Sequence, residues 1–228
     1  MNSNHIWVSR VIITLLLCVT LAPHGSPADP ARWEDTIAAF ESKDNEQFPQ
    51  PGMVLFVGSS SIVMWKTLET DFAPIRVLNR GFGGSQIEDS IHFADRIIIP
   101  YRPAAVVLYA GDNDIAAGKK SAHVLADFER FAAIVGKALP GTPIFFITIK
   151  PSLSRWSLWP KMKRANELIE ALCSHVDNLE YLDVASAMLK DDGTVRGDLF
   201  LEDNLHLNEQ GYRLWTSIIK PRIEARLR

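Results

Sequence analysis

Cysteine is nearly absent: two residues in 228, Cys18 and Cys173. Cys18 falls in the N-terminal apolar run, and Leu17 before it lacks the small side chain that lipid attachment normally requires. Removing that run leaves Cys173 without an intramolecular disulfide partner, so no disulfide scaffold is available even in an oxidising compartment. Excess positive charge is also missing. With 24 Lys and Arg against 27 Asp and Glu, the formal net charge is -3, and nothing is in place to neutralise a phosphate backbone. A nucleic-acid partner is therefore excluded as an expectation, and a polyanionic substrate is disfavoured. Internal repeats, low-complexity tracts and linkers are lacking as well, which points to one domain.

Apolar runs of membrane-spanning length are missing too; the nearest approach is residues 11–22, preceded by Arg10 and followed by Ser26, Pro27 and Ala28. A positive end, a short apolar stretch and small residues make an export signal, with residues 1–28 removed and a single domain over 29–228. The competing reading is an uncleaved N-terminal anchor, for which the run is short against the roughly 20 residues of a span. The expected location is periplasmic or secreted, with no membrane span once the signal is cleaved.

Hydrophobic residues make up 47% of the chain and charged residues 22%, enough to bury one sizeable core. An opening helix is expected from residue 30 to 43, where Trp33, Ile37 and Phe40 recur at helical spacing. Short apolar runs at 53–57, 76–79, 104–110, 143–148 and 179–182 read as five strands. Between them, 62–68, 87–99, 121–139 and 161–175 read as helices, with Trp65 and Cys173 buried within them. The last helix, 208–228, carries Tyr212, Trp215, Ile219 and Ile223 on one face, with Asn208 as N-cap and Pro221 as a kink. Fully apolar strands alternating with helices predict a parallel sheet covered on both faces, a three-layer α/β/α sandwich.

Ligands of such sheets sit beyond the carboxyl ends of the strands. Four segments on that edge are unusual: Gly58-Ser59-Ser60-Ser61, Gly81-Phe82-Gly83-Gly84, Gly111-Asp112-Asn113-Asp114 and Asp203-Asn204-Leu205-His206. Taken singly, each reads as a turn, a crowding-relief loop or a helix cap. Together they bring a hydroxyl, a backbone-donor loop, a side-chain amide and an acid–base pair to one place. A serine hydroxyl needs an imidazole to take its proton, and the imidazole needs a carboxylate to fix its tautomer; Ser60, His206 and Asp203 fit. The backbone N–H of Ser60, that of Gly84 and the Asn113 amide fit an oxyanion hole.

These four segments resemble the blocks of the SGNH, or GDSL-like, hydrolase family. Asn79-Arg80-Gly81-Phe82-Gly83-Gly84 is similar to the family's Asn-x-Gly-x-x-Gly, Gly111 to Asp114 to its Gly-x-Asn-Asp, and Asp203 to His206 to its Asp-x-x-His. The resemblance implies a flavodoxin-like sandwich with a five-stranded parallel sheet. It also implies an esterase with Ser60 as nucleophile, Asp203 and His206 as acid and base, Gly84 and Asn113 as oxyanion donors, and no cofactor. Ser59 departs from the family's aspartate, and Ser61 competes with Ser60, which keeps the family's distance from Gly58. The elbow of the classical α/β-hydrolase would require glycine at Ile62, and that rival fails.

The segment 150–160 follows the fourth strand on the same edge. Trp156 and Trp159 either stack on a sugar, line an acyl pocket or pack onto the body, and Arg155 either meets an anionic group or packs likewise. Asp203, His206 and His92 contain metal-binding atoms, but two of the three are taken by the triad and no metal is called for. The substrate class is a small-molecule ester: a short acyl ester, a lysolipid or an acetylated sugar. An acyltransferase and a non-catalytic carbohydrate-binding module are the alternatives. Oligomeric state is left open.

Overall fold

The computed structural model describes residues 29–228, so the export segment expected at 1–28 lies outside the described residues. Five strands, β1 (Val54–Gly58), β2 (Val77–Gly81), β3 (Ala105–Tyr109), β4 (Ile144–Ile147) and β5 (Leu179–Leu182), form one sheet of order β2-β1-β3-β4-β5. All four pairings are parallel, and Val54 lies opposite both Val77 and Ala105. Every residue of β1, β3 and β4 is buried, whereas the edge strands β2 and β5 each carry half-exposed residues. That is the pattern of a sheet covered on both faces.

Side chains along β1 alternate between two cores, as a period of two requires. Leu55 and Val57 join Ile37, Val106, Leu108, Phe128, Phe131 and Phe146 on one face. That face is covered by α1 (Glu34–Glu46), α4 (Ile87–His92), α5 (Ala94–Ile97), α7 (Ser121–Ala138) and α8 (Trp159–Cys173). Val54 and Phe56 join Trp65, Phe72, Val107, Tyr109 and Trp215 on the other, beneath α2 (Ser60–Val63), α3 (Leu68–Phe72) and α9 (Glu209–Leu227). A short α6 (Asp112–Ala116) follows β3. The three-layer α/β/α architecture is as expected from the strand pattern.

Several boundaries differ from the periodicity. The helix expected at 62–68 is two pieces, because the Asn79 amide on β2 donates to the Ile62 carbonyl at 2.7 Å where α2 ends. The helix expected at 87–99 breaks at Phe93, whose buried ring packs edge-on against Phe82 at 6.0 Å. The last helix keeps its expected extent, with Pro221 inside α9, which continues to Leu227. Trp65 is in the core at 1% exposure, as expected, while Cys173 closes α8 half-buried rather than buried.

The N-terminal element is fastened to edge strand β2 by a buried cluster. Arg80 on β2 pairs with Asp44 of α1 at 2.5 Å, donates to the Tyr101 hydroxyl at 2.9 Å, and lies over the rings of Phe40 and Tyr101. A buried charge of this kind is tolerated only because its partners and hydrogen bonds are complete. Arg96 of α5 adds a bidentate pair to Glu41. Thus anchored, α1 carries the preceding turn of 3-10 helix, Pro30–Trp33, to the carboxyl edge of the sheet.

Candidate active site

The strand ends set the floor of the site. Gly58 closes β1 at φ 127°, and a Cβ there would stand 1.9 Å from the Tyr109 carbonyl oxygen of β3. Only glycine allows the two strands to approach this closely. Ser59 then donates its N–H to that same Tyr109 carbonyl at 2.9 Å, and the chain turns directly into α2 with Ser60 as its first residue. Two further bonds hold that turn: Asn79 to Ile62, and the Tyr212 hydroxyl of α9 to the Ser61 carbonyl at 3.0 Å. Ser59 and Ser61 are fully buried and their hydroxyls have no hydrogen-bond partner among the described residues, whereas Ser60 reaches the surface. Between the competing serines, only the hydroxyl of Ser60 meets the histidine.

Ser60 Oγ lies 3.0 Å from His206 Nε2, and His206 Nδ1 lies 2.5 Å from Asp203 Oδ2. The two ring nitrogens are therefore engaged on opposite sides, with Nδ1–H pointing to the carboxylate and Nε2 left to accept from the hydroxyl. Asp203 Oδ1 additionally accepts the backbone N–H groups of Leu205 and His206, each at 2.9 Å. The His206 ring first, and these backbone donors next, hold the carboxyl down at about 2. An imidazole held by an ionised carboxylate is able to take a proton from the hydroxyl.

The Asp203–His206 turn is short and exposed, and its shape is made locally. Asn204 takes a left-handed φ of 56°, its N–H reaches Leu201 O at 2.9 Å, and Leu201 N–H returns to His206 O at 2.8 Å. Asn208 caps α9 by accepting from Gly211, as expected, and its amide also donates to the carbonyls of Asp198 and Phe200. That second role was not legible from the capping pattern.

Gly84 and Asn113 lie on the same edge. A Cβ on Gly83 would come within 4.0 Å of Ser60 Cβ, and Gly84 itself has φ 78°, a backbone turn that frees its N–H from strand pairing. Asn113 Nδ2 donates to the Ser85 carbonyl at 3.0 Å, which uses one of its two amide hydrogens and ties the second segment to the third. Trp33 borders Gly84: its ring carbon is 3.4 Å from where a Cβ would sit there. The helical spacing of Trp33 predicted packing on the body but gave no sign of proximity to the site.

The segment after β4 places its side chains on the same edge of the sheet. Arg155 directs its guanidinium at Asn113 Oδ1, 3.0 Å, and at Asp112 Oδ2, 3.1 Å. Trp156 and Trp159 lie parallel to one another, 6.3 Å apart at 12°, with Trp156 39% exposed. Lys150 is buried 3.6 Å from Asp112 Oδ2. Asp112 and Lys150 were not singled out in the sequence, although Asp112 sits inside the third block.

A parallel α/β/α sandwich with serine, histidine and aspartate in line at its carboxyl edge is the frame of a hydrolase. The chain belongs to the GDSL-like lipase/acylhydrolase family, the SGNH hydrolases: the family model matches residues 61–214, beginning one position after Ser60. This makes it an acyl ester hydrolase in general type. Among curated proteins it is similar to platelet-activating factor acetylhydrolase IB subunit alpha2 of Gallus gallus, 26% identical over 202 residues, covering 83% of this chain and 81% of that protein. Among solved structures it resembles a Streptococcus pneumoniae protein provisionally described as a platelet activating factor, with a TM-score of 0.75 and 20% identity over 85% of this chain and 94% of that one. It also resembles a GDSL-like lipase of Bacteroides thetaiotaomicron, with a TM-score of 0.69 and 19% identity over 86% and 98%. At these identities the structural likeness establishes the fold alone.

Proposed function

We propose that the protein hydrolyses short acyl esters through a covalent acyl-enzyme on Ser60. The observation that carries this reading is the continuous line from Ser60 Oγ to His206 Nε2 at 3.0 Å and from His206 Nδ1 to Asp203 at 2.5 Å. His206 takes the hydroxyl proton as Ser60 Oγ bonds to the ester carbonyl carbon. The resulting oxyanion accepts hydrogen bonds from Ser60 N–H, Gly84 N–H and the free Asn113 amide hydrogen. Collapse breaks the bond to the alcohol, which leaves with the proton held by His206. Water then repeats the sequence on the acyl-enzyme, releasing the carboxylic acid and restoring Ser60.

The small acyl class is supported by the name of the Gallus gallus relative, an acetylhydrolase. The parallel pair Trp156 and Trp159 beside Arg155 supports an alcohol half with an apolar or sugar face, as in a lysolipid or an acetylated sugar. Purified wild type is expected to release p-nitrophenol from p-nitrophenyl acetate and to be labelled at Ser60 by a fluorophosphonate. Ser60→Ala is expected to lose at least about 1000-fold in kcat and all labelling. Equal turnover by the two proteins removes Ser60 from the mechanism.

A further inference from the structure

Asn113 is useful as an oxyanion donor only if its amide nitrogen, not its oxygen, faces the reacting carbonyl. A side-chain amide presents either group after a half-turn about its last bond, so something must fix the choice. Here both ends are fixed. Nδ2 has a carbonyl acceptor in Ser85, and Oδ1 has a guanidinium donor in Arg155 Nη2, each at 3.0 Å. Reversing the amide would set oxygen against oxygen and N–H against a cation.

We propose that Arg155 is a positioning residue: it sets the donor face of Asn113 and, by drawing charge toward Oδ1, strengthens the remaining Nδ2–H as an oxyanion donor. This rests on the oxyanion reading given above. Arg155 is itself held by Asp112, which is 4% exposed and lies 3.1 Å from Nη1. The same carboxylate accepts from the Asn113 backbone N–H through Oδ1 at 2.9 Å and faces buried Lys150 at 3.6 Å. Asp112 thus bridges the guanidinium and the backbone of the residue the guanidinium orients. One position earlier, Ser154 N–H donates to the Asn204 carbonyl at 3.1 Å, inside the Asp203–His206 turn. A single segment after β4 therefore braces the amide donor through a side chain and the histidine turn through its backbone. Arg155 thus gives one hydrogen bond to Asn113 through Nη2 and stands at ion-pair distance from Asp112 through Nη1.

The test is a double-mutant cycle with p-nitrophenyl acetate on folded, purified enzyme. Arg155→Ala is expected to lower kcat and kcat/KM together, about 10- to 100-fold, with KM within about threefold, since the donor is weakened rather than deleted. Arg155→Lys keeps the charge near Asp112 but cannot bond Asn113 and Asp112 together in the same fork, so only part of the rate is expected to return. In an Asn113→Ala background the same Arg155 substitutions are expected to cost less than about threefold more, because the amide they act through is gone. Losses that multiply across the two sites, or a loss confined to KM, overturn the proposal and make Arg155 a substrate contact or a general support of the segment. If Arg155→Ala fails to fold, the Arg155→Lys arm of the cycle decides by the same criteria. These outcomes are read beside Ser60→Ala. An inactive Ser60→Ala with multiplying losses sinks the role of Arg155 alone, whereas an active Ser60→Ala sinks the functional reading beneath it.

Discussion

The two sides of the cleft are built on different principles. The serine side is backbone: Gly58 and Ser59, which lead into α2, are buried at the end of β1 and fixed by main-chain bonds to Tyr109 and Phe82. The histidine side is an exposed turn in which the Asp203 side chain is 47% and the His206 side chain 22% exposed, shaped by its own side-chain and main-chain bonds and pinned by Asn208 and Ser154. The serine side derives its geometry from the core, so a change there endangers the fold. On the histidine side the geometry comes from a handful of local bonds, so a change there endangers the rate and spares the fold.

The largest expected effect breaks the buried side. Gly58→Ala sets a methyl 1.9 Å from the Tyr109 carbonyl at φ 127°, a clash with backbone that no rotamer relieves. Loss of more than about 4 kcal/mol is expected, enough to leave little folded protein, and urea or thermal unfolding followed by circular dichroism measures it. A wild-type melting curve for this variant would show that the sheet end yields, and the contrast between the two sides would collapse.

The next effect is expected in rate and not in stability. Asp203→Asn keeps an oxygen for the Leu205 and His206 N–H groups, so the turn survives, but it removes the carboxylate that fixes the imidazole tautomer. A fall of about 1000- to 10000-fold in kcat is expected, with a melting temperature within about 2 °C of wild type. Steady-state kinetics and a thermal melt on the same preparation check both halves. Activity within tenfold of wild type would mean that the exposed turn does not act on Ser60.

The same contrast explains what was legible in the sequence. The strands were readable because full burial leaves a run of apolar residues with no polar face, and β5 matched to the residue. The blocks holding Ser60, Gly84, Asn113, Asp203 and His206 stood out only jointly, because the strand order brings all four to one sheet edge and they resemble the family's blocks in order. Helix boundaries near the site were not, since α2 stops where a β2 side chain, Asn79, takes a carbonyl across 17 residues of chain, and no local period encodes that. Nor were the commitments of Arg155 and Trp33. Whether an arginine faces solvent, substrate or a buried carboxylate depends on which residue the fold sets opposite it, and Asp112 lies 43 positions earlier.

The smallest effect concerns a residue far from both sides of the cleft. Cys173 ends α8, half-buried, and burial first, then the nearby carboxylates Glu180 and Glu170, push its thiol up to about 12. The thiolate is the reactive form, so at pH 8 only about one part in ten thousand is competent, against roughly a quarter for an ordinary thiol of pKa near 8.5. Reaction of the folded protein with a disulfide reagent at pH 8 is therefore expected to run at least about 100-fold slower than in denaturant, where the thiol is released. Since Cys173 touches neither side of the cleft, its blockage in denaturant-free buffer is expected to leave ester turnover unchanged within about twofold. Rapid labelling of the native protein would show that this end of α8 opens readily. Loss of turnover on labelling would tie α8 to the site and extend the rate-sensitive region beyond the exposed turn.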